Sequence, residues 1–422
     1  MNVTGIIAEY NPFHNGHLYQ IKQAKQNGAD YIIIVMSGNF VQRGTPAILD
    51  KWSRAEMALS SGADLVLELP TVFSTASAQY FARGGISLLD KLGVVDTLSF
   101  GCETTDSSLL KECVSLLSRE PDSFKEKLQS LLKEGYSFPK ARSLALSSFL
   151  GNEVSACMSE PNTILALEYC LALSERHCSI QAAPLLRKGN SYHEKELSFH
   201  TLPSATAIRM QLKESLLRDS FDDTIKHLSC FLPGDVLSLL TKNKDSLLLS
   251  QNTLSLLLKY KLLSSFDRLE QYADVTADLA DKIRKNINQF QTLSQFADLL
   301  KSKDLAHTRI TRALTHILLD ITQDMYTLAK EKDYVPYARV LGFHKRALPL
   351  LSEIGTHSCI PLITKLADAE KRITSDYPQD ASYALSMLKH DIFCAHVYES
   401  VITDLTGRPF QNEYTRQIVI RE

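Results

Sequence analysis

Two histidines three residues apart, His14 and His17, carry the first chemical signal in the chain. They lie in residues 5–20, GIIAEYNPFHNGHLYQ. An apolar run (Ile6, Ile7, Ala8) ends in the turn Asn11-Pro12, and a helical pattern with Leu18, Ile21 and Ala24 follows. Residues at i and i+3 share one face of a helical turn. A helix N-terminus favours phosphate through its free N–H groups and its dipole. Imidazoles placed there can donate to phosphate oxygens and neutralise charge on a leaving pyrophosphate. The competing readings are a surface pair or a zinc pair. A zinc site lacks support, because no cysteine or carboxylate cluster lies nearby to complete it.

Further along are residues that suit the same chemistry. Gly101 ends an apolar strand pattern, as a plain turn glycine, the reading favoured on its own, or as a place where a missing side chain lets a ligand approach the backbone. Asn162, after Pro161, stands at a helix start, as a cap or as an amide offered to a nucleotide. Arg187 follows another strand pattern. Ser204, Thr206 and Arg209 combine hydroxyls, a helix start and a guanidinium, the parts of a phosphate clamp or merely a cap beside an exposed arginine. Gln42 and Arg43 fall in a loop at a strand's carboxyl end, where open α/β sheets bind ligands. Lys51 and Arg54 share a helix face, toward solvent or phosphate, with solvent favoured.

The elements that position these residues alternate. Apolar runs at 31–36, 65–69, 93–101 and 180–186 read as strands. Helical patterns fill 17–27, 50–61, 72–92 (with Gly84-Gly85 as a distortion), 107–133 and 164–173. This is a parallel α/β sheet. From about residue 215 the chain turns leucine-rich and helical, and strand patterns vanish except for an unplaced apolar stretch at 418–420. The expected division is 1–214, a Rossmann-like α/β unit, and 215–422, an all-α domain. Two basic segments in the second half fit RNA. Arg309, Arg312 and His316 recur at helical spacing. Arg339, Lys345 and Arg346 alternate with Tyr334, Tyr337 and Phe343, as RNA-contacting surfaces do. An ordinary solvated face is the alternative for each.

The chain has 422 residues, 44% hydrophobic and 22% charged, with formal net charge −2. Any nucleic-acid surface must therefore be local. Eight cysteines never form Cys-x-x-Cys, so idle thiols in a reducing compartment are expected. No basic segment precedes a long apolar stretch, and no run reaches the ~20 apolar residues of a membrane span. A cytoplasmic protein without membrane contact is expected.

His14-x-Gly-His17 matches the His-x-Gly-His signature of the adenylate-forming nucleotidyltransferases. Ser204-x-Thr206-x-Ile208-Arg209 looks like their second phosphate motif, with Pro203 and Ala205 departing from it. The run GIIAEYNPFHNGHLYQI, with MSGNFVQRGTPAILDKWSRAEMAL and GADLVLELP, closely resembles the bacterial tRNA(Met) cytidine acetate ligase family. The likeness is strong over about the first 210 residues and looser beyond. It implies a nucleotidyltransferase fold and a two-step reaction. ATP and acetate give acetyl-adenylate and pyrophosphate; the acetyl group then passes to the wobble cytidine of elongator tRNA(Met), giving N4-acetylcytidine. It implies ATP contacts from Ile7, Ala8, Glu9, Tyr10, Asn11, Pro12, Phe13, His14, Asn15, Gly16, His17, Leu18, Tyr19 and Gln20, together with Gly101, Asn162 and Arg187. His14 and His17 would be catalytic. ATP is a substrate, no metal ligands are assigned, and a Mg²⁺ requirement stays open. The rivals are an enzyme making a small nucleotide conjugate and a non-catalytic nucleotide-sensing RNA-binding protein.

Overall fold

The computed structural model describes residues 1–104, 107–136, 138–151, 154, 158, 160–187, 204–302 and 305–422. Five parallel strands form the frame: β1 (Val3–Ala8), β2 (Tyr31–Ser37), β5 (Leu65–Leu69), β6 (Thr97–Cys102) and β7 (Gln181–Leu186). Between β2 and β5 lies a small antiparallel hairpin, β3 (Phe40–Val41) with β4 (Thr45–Pro46). In space the frame runs β5-β2-β1-β6-β7. The chain winds outward from β1 to one side, then returns to build the other side, so β1 and β6 flank the point where the winding reverses. Ligands in such sheets bind beyond the carboxyl ends of the strands at that reversal. The local pairing helps. β1 pairs with β6 only at Thr4–Thr97 and Gly5–Leu98, and the strands part toward their carboxyl ends.

β2 and β5 are apolar but for Ser37 and Glu68 because both faces are covered; every residue of β5 is buried. The residues 72–92 form two helices, Thr71–Ser74 and Ala78–Lys91. Gly84 and Gly85 do not distort the second. An added Cβ would lie 2.6 Å from Phe73 and 2.5 Å from Ile7, so they let the helix pack close to its neighbours. The helix expected over 107–133 is likewise two, Ser107–Arg119 and Asp122–Lys133. Pro121 has no N–H to continue the first, and Glu120 takes a left-handed φ of 38°.

The C-terminal region is mainly helical, as expected, and includes the long helix Ala381–Thr406. It also supplies three strands that its leucine-rich pattern hides. β8 (Ala338–His344) adds antiparallel to β5, and β9 (Leu362–Ile363) and β10 (Val419–Arg421) add parallel to β8. The unplaced stretch at 418–420 thus falls at the sheet edge. The basic segment at 338–346 is largely a strand, not a surface loop.

A buried charge cluster fastens this addition. Lys51 Nζ donates to both Glu68 oxygens at 2.7 and 2.8 Å. Arg339 bonds Glu413 at 2.7 Å and pairs with Glu68 at 3.0 Å; Lys51 also pairs with Glu413. Two cations and two anions cancel in a dry interior, as buried charges require. Lys51 and Arg339 therefore face neither solvent nor phosphate. Burial alone would raise the Glu413 carboxyl; Lys51 and Arg339 overcome it and hold it at about 2.

Candidate active site

The helix Asn15–Gln26 begins at the mouth of the β1–β6 crevice, and His14 is its N-cap. The His14 backbone N–H donates to His17 Nδ1 at 3.2 Å, and Gly16 N–H donates to His14 Nδ1 at 3.1 Å. The two rings stack, centroids 3.7 Å apart and planes 20° apart. Gly16 makes this possible: a Cβ there would lie 2.8 Å from the His14 ring. Both Nδ1 atoms accept, so in each neutral imidazole Nε2 carries the proton. Burial first, then Arg187 and Arg209, lowers His14 to about 3. Burial, then His14 and Arg187, holds His17 well below its ordinary value. Both rings are neutral donors at pH 7, and the cleft's positive charge resides on its arginines.

This carries a sign for stability. In the unfolded chain each histidine takes up a proton below about pH 6.5, while the folded chain resists, so stability falls as pH drops through that value. Each ring contributes a loss of about 1.4 kcal/mol per pH unit between the unfolded value and the folded one. Urea midpoints should fall between pH 7.5 and 5.5 in the parent and fall less in a His14→Asn/His17→Asn double variant. Equal slopes would contradict the buried neutral pair.

A cavity of about 300 Å³ opens in front of these rings. Its walls hold Ile7, Ala8, Glu9, Tyr10, Asn11, Tyr19 and Gln20 from the first βα unit, and Gly101 near the carboxyl end of β6. Asn162, Arg187, Ser204, Thr206 and Arg209 complete it. Arg187 donates to Asn162 Oδ1 at 3.3 Å, and Asn162 in turn donates to Glu103, which also accepts from Thr163 at 2.9 Å. Ser204 caps the helix Ala205–Leu217, accepting from Ala207 N–H at 3.2 Å. Arg209 reaches back to the Asn11 carbonyl at 2.7 Å and to Thr206 Oγ1 at 3.1 Å. The set joins two N-terminal helix turns, hydroxyls and guanidiniums around one space, an arrangement suited to a polyphosphate. Pro203, one of the two departures from the phosphate motif, lies outside the described residues.

Four of the expected contacts do not line the cavity. Phe13 and Pro12 are buried beneath the turn, and Leu18 packs into the apolar cluster around Ile21. Asn15 is turned away, its amide donating to the Cys230 carbonyl and its N–H to that of Phe231. In their place come Gln42, Arg43 and Thr45 from the β3–β4 hairpin. Gln42 N–H donates to Glu9 Oε1 at 2.9 Å.

Arg54 has a role that spacing did not reveal. Fully buried, it donates to the carbonyls of Leu49 at 3.0 Å, Glu9 at 2.6 Å, Ser37 at 3.0 Å and Gly38. One guanidinium thus gathers the backbone at the carboxyl ends of β1 and β2. The signal available was its setting, among Trp52, Ala55, Met57, Ala58 and Leu59.

The expected RNA residues separate. Arg339 is locked in the charge cluster and cannot reach a ligand. His316 is buried, its ring nitrogens on the Ala273 and Thr75 carbonyls. Arg312 pairs with Asp274 at 2.8 Å, and Arg309 is half-buried on the same helix, His307–Leu318. That helix backs the β3–β4 hairpin. Lys345 and Arg346 are exposed but lie beyond β8, which runs antiparallel to β5, so they sit at the amino end of the sheet, beside Asp64. Among the described residues no group of histidine, cysteine, aspartate and glutamate is arranged to hold a metal, and no helix is long and apolar enough to cross a membrane.

A family model described as HIGH Nucleotidyl Transferase matches residues 1–413. A tRNA(Met) cytidine acetate ligase of Clostridium perfringens is 38% identical over 407 residues, covering 94% of this chain and 95% of its own. The chain belongs to the tRNA(Met) cytidine acetate ligase family of HIGH nucleotidyl transferases. The Clostridium novyi ligase is 37% identical over 398 residues, 93% of this chain and 96% of that protein. Among solved structures, Thermotoga maritima TmcAL in its apo form matches with a TM-score of 0.92 at 30% identity, covering 100% of both chains. The same protein bound with alpha-thio ATP matches at 0.89 and 29% identity, again over 100% of both. The His-x-Gly-His run that defines these transferases is, in this member, a stacked and mutually capped pair at the cleft.

Proposed function

We propose that this chain is an ATP-dependent tRNA-modifying ligase. It activates acetate as acetyl-adenylate with release of pyrophosphate, and transfers the acetyl group to the wobble cytidine of elongator tRNA(Met), forming N4-acetylcytidine. The observation that carries this reading is the His14–His17 pair facing Arg187 and Arg209 across one cavity at the winding reversal, in a chain whose relatives bear that ligase name. Adenylation is an in-line displacement at the α-phosphorus, and the protein's part is positioning and charge stabilisation. The Nε2–H groups of His14 and His17 would donate to phosphate oxygens as charge moves onto pyrophosphate. Arg209, with Ser204 and Thr206, would hold its far end, and Arg187 with Asn162 would hold the adenylate. No side-chain nucleophile is required, because the mixed anhydride itself is reactive toward the cytosine amine.

Among the described residues all that line the cavity fall between Ile7 and Arg209, which supports 1–214 as the ATP-binding unit and leaves 215–422 to present tRNA. Within the latter, the helix of Arg309 and Arg312 lies on the cleft side and Lys345 and Arg346 on the opposite side. Arg309→Glu should therefore weaken tRNA affinity more than Lys345→Glu, and should reduce its salt dependence. The reverse order, read in filter-binding titrations at two salt concentrations, would move the RNA face to the amino end of the sheet. The function itself is tested by nucleoside analysis of tRNA after incubation with enzyme, ATP and acetate. N4-acetylcytidine should appear only with all four present; its formation from acetyl-coenzyme A without ATP would reject the reading.

A further inference from the structure

Resting on the reading above, we propose that the β3–β4 hairpin is the acid-binding element of the site, with Arg43 holding the carboxylate of the short acid to be activated. The cavity straddles β1. On the β6 side it is walled by Gly101, Asn162 and Arg187; on the β2 side by Gln42, Arg43 and Thr45. Attack of a carboxylate on an α-phosphate brings two anions together, and a cation on the entering side offsets that repulsion. Three guanidiniums line the cavity among the described residues, Arg43, Arg187 and Arg209, and Arg43 is the one that comes from the β2 side. A carboxylate oxygen forms the bond to the α-phosphorus. The bond from that phosphorus to the bridging oxygen breaks, and pyrophosphate leaves with the electron pair. Arg43 gains and loses no proton.

The hairpin is held from both sides, which fixes where Arg43 can reach. In front, Gln42 N–H is bonded to Glu9. Behind, Thr315 Oγ1 donates to the Gly44 carbonyl at 2.5 Å. Gly44 has a φ of 69°, and a Cβ there would lie 2.6 Å from Arg312 Cα and 2.9 Å from the Thr311 carbonyl oxygen. The backbone turn next to Arg43 is thus seated on the helix His307–Leu318 with no room for a side chain. A backbone seated in this way confines the Arg43 side chain to one part of the cavity and lowers the ordering cost of binding.

The test is acetate-dependent exchange of labelled pyrophosphate into ATP, with ATP affinity measured separately by titration in the absence of acetate. Arg43→Ala should raise the KM for acetate by about 10- to 100-fold, the loss of a charge-assisted contact, and leave ATP affinity unchanged. Arg43→Lys, which keeps the charge without the two-pronged geometry, should fall between, and it guards against a variant that fails to fold. An unchanged acetate KM in both variants, or a loss of ATP affinity in place of the acetate effect, overturns the assignment. A parent protein that shows no acetate-dependent exchange removes the underlying reading, and the proposal with it.

Discussion

Replacing either His14 or His17 by alanine is expected to lower acetate-dependent pyrophosphate exchange by about 10²–10³-fold, the typical cost of losing one preorganised donor to a developing charge. ATP affinity should fall far less. The two rings are neutral, so neither contributes a full charge to ground-state binding. Their Nδ1 atoms are already occupied by backbone N–H groups, which leaves Nε2–H as the group offered to a ligand. A donor fixed in place before the reaction helps most where charge grows, at the leaving pyrophosphate. The split between rate and binding is read from exchange kinetics beside direct ATP titration. A variant with near-normal exchange would remove that histidine from the mechanism. A variant that loses affinity and rate equally would make it a binding residue only.

The second large effect lies outside the cleft. Glu68→Gln should destabilise the protein by about 3–5 kcal/mol, the usual cost of breaking a buried ion pair on one side. Glu68 is 2% exposed, and it accepts from Lys51 and pairs with Arg339, both themselves buried. Removing its charge leaves two cations with Glu413 alone. Because Arg339 and Glu413 come from the C-terminal half, the loss should loosen β8 and the chain end from β5. Urea denaturation gives the size. A Lys51→Met/Glu68→Gln double variant restores the balance of charge and should be less destabilised than the two single variants added together. Strict additivity would show that Lys51 and Glu68 are not coupled.

What the sequence revealed follows from distance along the chain. His14, Gly16 and His17 were legible because strand, turn and cap are local, and the spacing itself encodes the geometry. The parallel frame was legible because strands buried on both faces, such as 31–36 and 65–69, are nearly continuous apolar runs, Glu68 being the one charge within them. The partners of Lys51 were not legible: Glu413 is 362 positions away, and a lysine in a helix reads as solvated unless its opposite charge is known to arrive. β8 escaped for the same reason, since Arg339 breaks its apolar pattern and gains sense only beside Glu68 and Glu413. Lys345 and Arg346 looked continuous with Arg339, but the antiparallel direction of β8 carries them to the far end of the sheet. The hairpin residues Gln42 and Arg43 were visible as a loop at a strand end; that they face the same cavity as Arg209 needed the fold. The break at Pro121 was readable from a single residue and was overridden by the helical pattern on both sides of it.

On the proposed mechanism the cleft activates acetate with ATP before any acceptor is needed. This is tested most directly by incubating the full-length protein with ATP, acetate and labelled pyrophosphate in the absence of RNA. Label is expected in ATP, dependent on acetate and not supported by acetyl-coenzyme A in its place. No label in ATP under any condition, with tRNA acetylated from acetyl-coenzyme A instead, would contradict it.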